Sequence, residues 1–162
     1  MISYYPAEAR IDLSAIRSNL SSVREAAGEA AVLAVVKADA YGHGRAEVAR
    51  ALAPGADYLG AAQLGEALAL RGEVGPGPRI LTWIFAPGAP LAQALRADVE
   101  LSAGAFWAID EIAQAARETG TTAKVHLKVD TGMARGGFNV ADVAEAYAAM
   151  DERRATKVLL WP

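Results

Sequence analysis

The chain contains no cysteine, only two histidines, few aromatic residues (7%) and no excess of positive charge, and these shortages close off several classes of function. Without thiols there is no disulfide framework, no cysteine nucleophile and no thiolate-held zinc, and no metal is expected. Lys plus Arg number 16 against 19 Asp plus Glu, a formal net charge of −3. No stretch gathers the basic residues that a phosphodiester backbone demands, so nucleic acid is not an expected partner. No apolar run reaches the ~20 residues that span a bilayer, and the opening Met1-Ile2-Ser3-Tyr4-Tyr5-Pro6 has neither a basic leader nor an apolar signal core. A cytoplasmic protein with no membrane partner is expected.

What is present suits a buried core: 162 residues, 53% hydrophobic and 22% charged. Apolar runs alternate with alanine-rich helical stretches, the pattern of repeated βα units on a parallel sheet. A short strand over 9–13 is expected to lead, with Ser14 as N-cap, into a helix that Gly28 ends. Strands are expected over 31–37, 58–61, 79–85, 99–102 and 123–129, with helices over 45–52, 63–71, up to Arg96, over 106–117 and over 141–150. The final residues, 156–162, have the composition of an incipient sixth strand. About five βα units fall short of the ~250 residues of an eight-stranded barrel. The expected fold is therefore α/β, a partial (β/α)8 TIM-type barrel with parallel strands and outer helices.

Two segments carry chemistry. The first is Ala34-Val35-Val36-Lys37-Ala38-Asp39-Ala40-Tyr41-Gly42-His43-Gly44. A lysine at the end of an apolar parallel strand lies at the carboxyl edge of the sheet, where α/β folds place functional groups. Desolvation there favours the neutral amine that attachment to an aldehyde cofactor requires; the competing reading is a lysine whose head reaches out to solvent. The glycine turn at Gly42 and Gly44 runs into a helix start, a common phosphate site. The Tyr41 hydroxyl could donate to the same phosphate, or its ring could pack under the loop.

The second segment is His126-Leu127-Lys128-Val129-Asp130-Thr131-Gly132-Met133-Ala134-Arg135-Gly136-Gly137-Phe138. Period-2 geometry sends Val125, Leu127 and Val129 one way and His126, Lys128 and Asp130 the other. In a barrel the polar set enters the lumen or its rim, where it serves a ligand or satisfies itself as a buried network. Arg135, in a glycine-rich turn after the strand, is suited to bind a carboxylate or phenolate.

Together these segments resemble the two N-terminal signature segments of alanine racemases, and residues 9–20 resemble that family's opening, so the similarity runs from near the start to about Met150. The resemblance implies a barrel holding pyridoxal 5′-phosphate. Lys37 would be the lysine that carries the cofactor and the base toward the α-proton of one alanine enantiomer, and Tyr41 would contact the cofactor phosphate. Lys128 matches a lysine that is carbamylated in many members. Arg135 matches the arginine that this carbamate orients toward the cofactor's phenolic oxygen and the substrate carboxylate. Activity would be racemisation of alanine, supplying D-alanine for peptidoglycan, and the family assembles as homodimers.

Two departures stand out. Ala134 and Gly136-Gly137 flank Arg135 where members more usually carry glycine and an aliphatic residue. The family's later strands and its β-domain, with the tyrosine that reaches across the dimer as second base, have no counterpart in these residues. Residues 1–150 thus read as the N-terminal portion of the barrel and 151–162 as a divergent tail, truncated or frameshifted. The chain is expected to self-associate and to be inactive alone. The alternatives are a non-catalytic remnant and a short single-domain cofactor-binding barrel protein.

Overall fold

The computed structural model describes residues 7–152 and 156–160. Helix α1 (Leu13–Ala27) comes first, then strand β1 (Leu33–Val35), the single turn α2 (Lys37–Gly42) and α3 (Arg45–Leu52). Next are β2 (Tyr58–Gln63), α4 (Leu64–Val74), β3 (Arg79–Ile84), α5 (Leu91–Arg96), β4 (Val99–Ala103) and α6 (Phe106–Thr119). Strand β5 (Ala123–Leu127), a 3-10 turn (Val140–Asp142), α7 (Val143–Glu152) and β6 (Thr156–Leu160) complete the order. All strand pairs are parallel, and the sheet runs β1-β2-β3-β4-β5-β6 in chain order. This is the expected α/β architecture, an open segment of a TIM-type barrel, with the residues at 156–160 forming a sixth strand.

Alternation along the strands divides the sheet into two faces. Leu59, Ala61, Ile80, Leu101, Ala103, Val125 and Leu127 are buried with Leu70, Leu91, Ile109 and Ile112 from the covering helices. On the opposite, lumenal face lie Tyr58, Leu81, Trp83, Ser102 and His126, which line a cavity together with Leu33. The faces differ because a helix covers only one of them, and burial without a polar partner is tolerated only by apolar groups.

Several expected boundaries move. Residues 9–12 form no strand: they have no ladder partner among the described residues, and Asp12 instead caps α1. Its carboxylate accepts from the amides of Ser14 (2.8 Å) and Ala15 (3.1 Å) and from the Ser14 hydroxyl (2.6 Å), so the N-cap is Asp12 and not Ser14. Strand β1 is less than half as long as expected, which places Lys37 past its end in α2. Strand β5 stops at Leu127, and α4 continues beyond Arg71 to Val74.

Because Ile80 is fully buried between helices and sheet while Val23 is 53% exposed, Ile80→Ala is expected to lower unfolding free energy by about 2–5 kcal/mol. Val23→Ala should stay within about 0.5 kcal/mol. Urea denaturation followed by circular dichroism measures both.

Candidate active site

Lys37 directly follows the buried Val36 at the carboxyl edge of β1. The chain turns there in an uncommon way: Ala38, Asp39, Ala40 and Tyr41 all lie in the left-handed region, with φ between 50° and 57°. For residues with a Cβ this conformation costs roughly 1–2 kcal/mol each, so the surroundings must hold it. Within the turn, the Ala40 amide donates to Val36 O (3.0 Å) and the Gly44 amide to Asp39 O (3.0 Å). The Asp39 carboxylate accepts from the Arg45 amide at 2.7 Å, capping α3. Arg45 in turn makes a two-point ion pair with Glu73 on α4 (2.8 and 2.6 Å), which holds the Glu73 carboxyl below the usual range.

This geometry alters the reading of the turn. The first amide of α3 is occupied by the Asp39 carboxylate, a negative group at the helix start. Tyr41 does not pack under the loop; it is 61% exposed, and the Lys37 amine lies 5.8 Å from its ring centre. Lys37 itself is half-buried and lines a cavity.

Across the edge, the loop after β5 is closed at its base by backbone bonds. The Phe138 amide donates to Lys128 O (2.9 Å), the Asp130 amide to Phe138 O (2.8 Å), and the Lys128 amide to Ala103 O (2.7 Å). The Asp130 carboxylate accepts from the amides of Gly132 (2.9 Å) and Ala134 (3.0 Å), which lowers its pKa. A Cβ on Gly137 would sit 2.8 Å from the Asp130 nitrogen, and its φ of +125° suits glycine, so the doubled glycine after Arg135 serves this closure. The Lys128 amine bonds to Gly136 O, and Arg135 stands exposed on the loop.

The Lys128 charge helps to lower Asp130, while His126 turns its Nε2 to Glu100. The network around Glu100 lies deeper and involves residues that the motifs left unmarked. Glu100 on β4, 1% exposed, takes two bonds from Arg79 on β3 (2.7 and 3.0 Å) and one from His126 Nε2 on β5 (2.7 Å). The Arg79 guanidinium stacks 4.1 Å from the Tyr58 ring centre, and the Tyr58 and His126 rings meet edge to face at 5.8 Å. Burial raises the Glu100 carboxyl, but the bonds and charges of His126 and Arg79 outweigh it and leave the pKa below the ordinary value. Glu100 could have been suspected from Val99-Glu100-Leu101, a lone charge in an apolar strand; its partners on separate strands could not.

Lys37, Lys128 and Arg135 line one open cavity of about 750 Å³, walled by Trp83, Phe85 and Trp107. This is a usual size for a small-molecule or cofactor site. It offers one amine beside the β1 edge, two cationic side chains opposite and flat apolar walls between.

A parallel barrel-type sheet with a lysine-bearing site at its carboxyl edge defines the broad class, α/β domains that work on small molecules. The chain matches the alanine racemase N-terminal domain family over residues 11–160. It is 63% identical over 135 residues to the alanine racemase of Beutenbergia cavernae, covering 83% of this chain and 35% of that one. To the alanine racemase of Thermobifida fusca it is 48% identical over 154 residues, 94% of this chain and 41% of the relative. The solved alanine racemase from Streptomyces coelicolor superimposes with a TM-score of 0.85 at 44% identity, covering 93% of this chain and 42% of the other. That of Clostridium difficile 630 in complex with cycloserine gives 0.87 at 29%, covering 98% and 44%. The protein belongs to the alanine racemase family, and it spans well under half the length of these relatives.

The depressed pKa of Glu100 sets an acid limit. A carboxylate lowered in the folded state contributes stability above its unfolded pKa, and this is lost as pH falls through the folded value. Glu100→Gln is therefore expected to be less stable than the wild type at pH 7 but to lose less on acidification below about pH 4. Urea midpoints at the two pH values read the difference, and equal acid losses in both proteins would remove Glu100 as a contributor.

Proposed function

We propose that this chain is the pyridoxal 5′-phosphate-binding part of an alanine racemase, which interconverts L- and D-alanine and supplies D-alanine for peptidoglycan in the cytoplasm. The observation that carries the reading is the convergence of Lys37, Lys128 and Arg135 on one cavity. Lys37 would hold the cofactor through its amine, condensing with the aldehyde and releasing one water. Tyr41 would reach the phosphate, Arg135 would bind the phenolic oxygen and the substrate carboxylate, and Lys128, as a carbamate, would orient Arg135. Bound there, the cofactor supplies an electron sink for the carbon that loses its proton.

Lys37 would also be the base on one face of the substrate. Inversion needs a second base on the opposite face. Among the described residues no tyrosine lines the large cavity: Tyr58 is committed beneath Arg79, and Tyr147 is exposed on α7. A general acid or base contributes roughly 10²–10⁴-fold, so the chain by itself is proposed to be inactive. Among the described residues the β1 and β6 edges each have a neighbour on one side only, and such edges pair with other chains, which favours self-association of this chain.

Incubation with pyridoxal 5′-phosphate, borohydride reduction and peptide mapping should find the adduct at Lys37; an adduct elsewhere with Lys37 unmodified sinks the assignment. Incubation with L-alanine and cofactor should give no D-alanine above the Lys37→Ala control on a chiral column. Production at an enzymatic rate would mean that a residue of this chain supplies the opposing base. Light scattering should detect species larger than the monomer.

A further inference from the structure

We propose that Glu66, on α4, is a positioning residue for Lys37, holding the Lys37–Ala38 peptide in the orientation that directs the lysine amine into the cavity. This inference rests on the reading of Lys37 as the cofactor-bearing lysine. Its ground is where the backbone bonds around Lys37 go. The Val35–Val36 peptide, one residue before the lysine, is tied to β2, the Val36 amide donating to Gly60 O at 2.8 Å. The peptide after it is tied to α4, the Ala38 amide donating to Glu66 Oε1 at 2.7 Å. Lys37 is thus bracketed by two bonds to the same β2–α4 unit. The left-handed run begins at Ala38, the residue that Glu66 grips.

The carboxylate is suited to this because it does two tasks with two oxygens. While Oε1 receives Ala38, Oε2 receives the amides of Ala62 (3.1 Å) and Gln63 (3.0 Å) at the junction of β2 and α4. The second task is the ordinary half of a capping box, Gln63 with Glu66 at the third helical position. The first is not: it reaches 28 residues back along the chain and contributes nothing to the α4 cap. Burial raises the Glu66 carboxyl, but the three amides, with Arg45 on α3, outweigh it and keep it below the usual range. Asp39 on α2 and Glu73 on α4 act on it at one remove, through Arg45, and β2 contributes only its amides.

The two tasks can be separated. A glutamine has one acceptor oxygen, so Glu66→Gln can serve the two β2 amides and must then turn an N–H₂ donor toward the Ala38 N–H. The helix cap survives and the grip on Ala38 is lost.

The test has two arms. In wild-type protein labelled with 15N, the Ala38, Ala62 and Gln63 amides should shift with one common midpoint on acidification, below the ordinary glutamate range. In Glu66→Gln the Ala38 amide alone should lose protection from exchange. An Ala38 resonance that does not follow the other two overturns the proposal whatever Lys37 does. In the second arm, covalent attachment of pyridoxal 5′-phosphate is timed by borohydride trapping and peptide mapping, using Lys124, on the far part of β5, as internal control. Glu66→Gln should slow attachment at Lys37 by about 10- to 100-fold, the scale of an ångström-level misplacement, with Lys124 labelling and the far-ultraviolet circular dichroism unchanged. Glu66→Asp, which keeps the charge on a shorter arm, should recover part of the rate. Undiminished attachment at Lys37 in Glu66→Gln overturns the positioning role. Wild-type protein showing no preference for Lys37 overturns the cofactor reading instead, and the amide arm still decides whether Glu66 holds Ala38.

Discussion

The arrangement of the site depends on in-register parallel pairing of strands in chain order. When each strand pairs with the next in the same direction, all carboxyl ends arrive at one edge, and the connections leaving that edge become neighbours. Lys37 and the loop bearing Arg135 are nearly a hundred residues apart in sequence, yet they face a common cavity because β1 to β5 deliver them to the same rim. Displacement of β4 by a single residue would invert its faces, sending Glu100 toward the helices and Leu101 into the lumen.

That register is protected by charge as well as by packing. Glu100 is almost wholly buried and cannot be left without partners, since an uncompensated buried carboxylate is strongly unfavourable. Arg79 and His126 satisfy it from the strands on either side. The bonds form only in the observed alignment of β3, β4 and β5, so this network under the cavity acts against slippage in a way that interchangeable apolar contacts do not.

Above this floor the rim is built from carboxylates that grip backbone amides. Asp130 holds the loop carrying Arg135, Asp39 caps α3, and Glu66 reaches the amide after Lys37. An ionised carboxylate accepts several bonds at once and is stronger toward an N–H than a neutral acceptor. Four consecutive left-handed residues are unfavourable by themselves, and they persist here because such grips lie at both ends. The functional groups gain defined directions from backbone that is held rather than from backbone that is relaxed.

The amino-acid sequence by itself determined the βα alternation, the parallel class and the family, because strand and helix periodicity and the two long motifs are local patterns. It also marked Lys37, Lys128 and Arg135, since each lies in a glycine-bearing segment at the end of an apolar strand. It misjudged the segment at residues 9–12, where the composition suits a strand but pairing needs a neighbour that local pattern cannot reveal. Tertiary structure alone decided that Glu100 pairs with Arg79 and His126 rather than His126 with Lys128 and Asp130. It alone decided that Asp39 takes the first amide of α3, and that Glu66 holds Ala38 while keeping its helix cap. The Glu100 and Glu66 bonds join groups that the chain separates and the sheet register brings together, and partners of that kind are set by which strands lie side by side, not by spacing along the sequence.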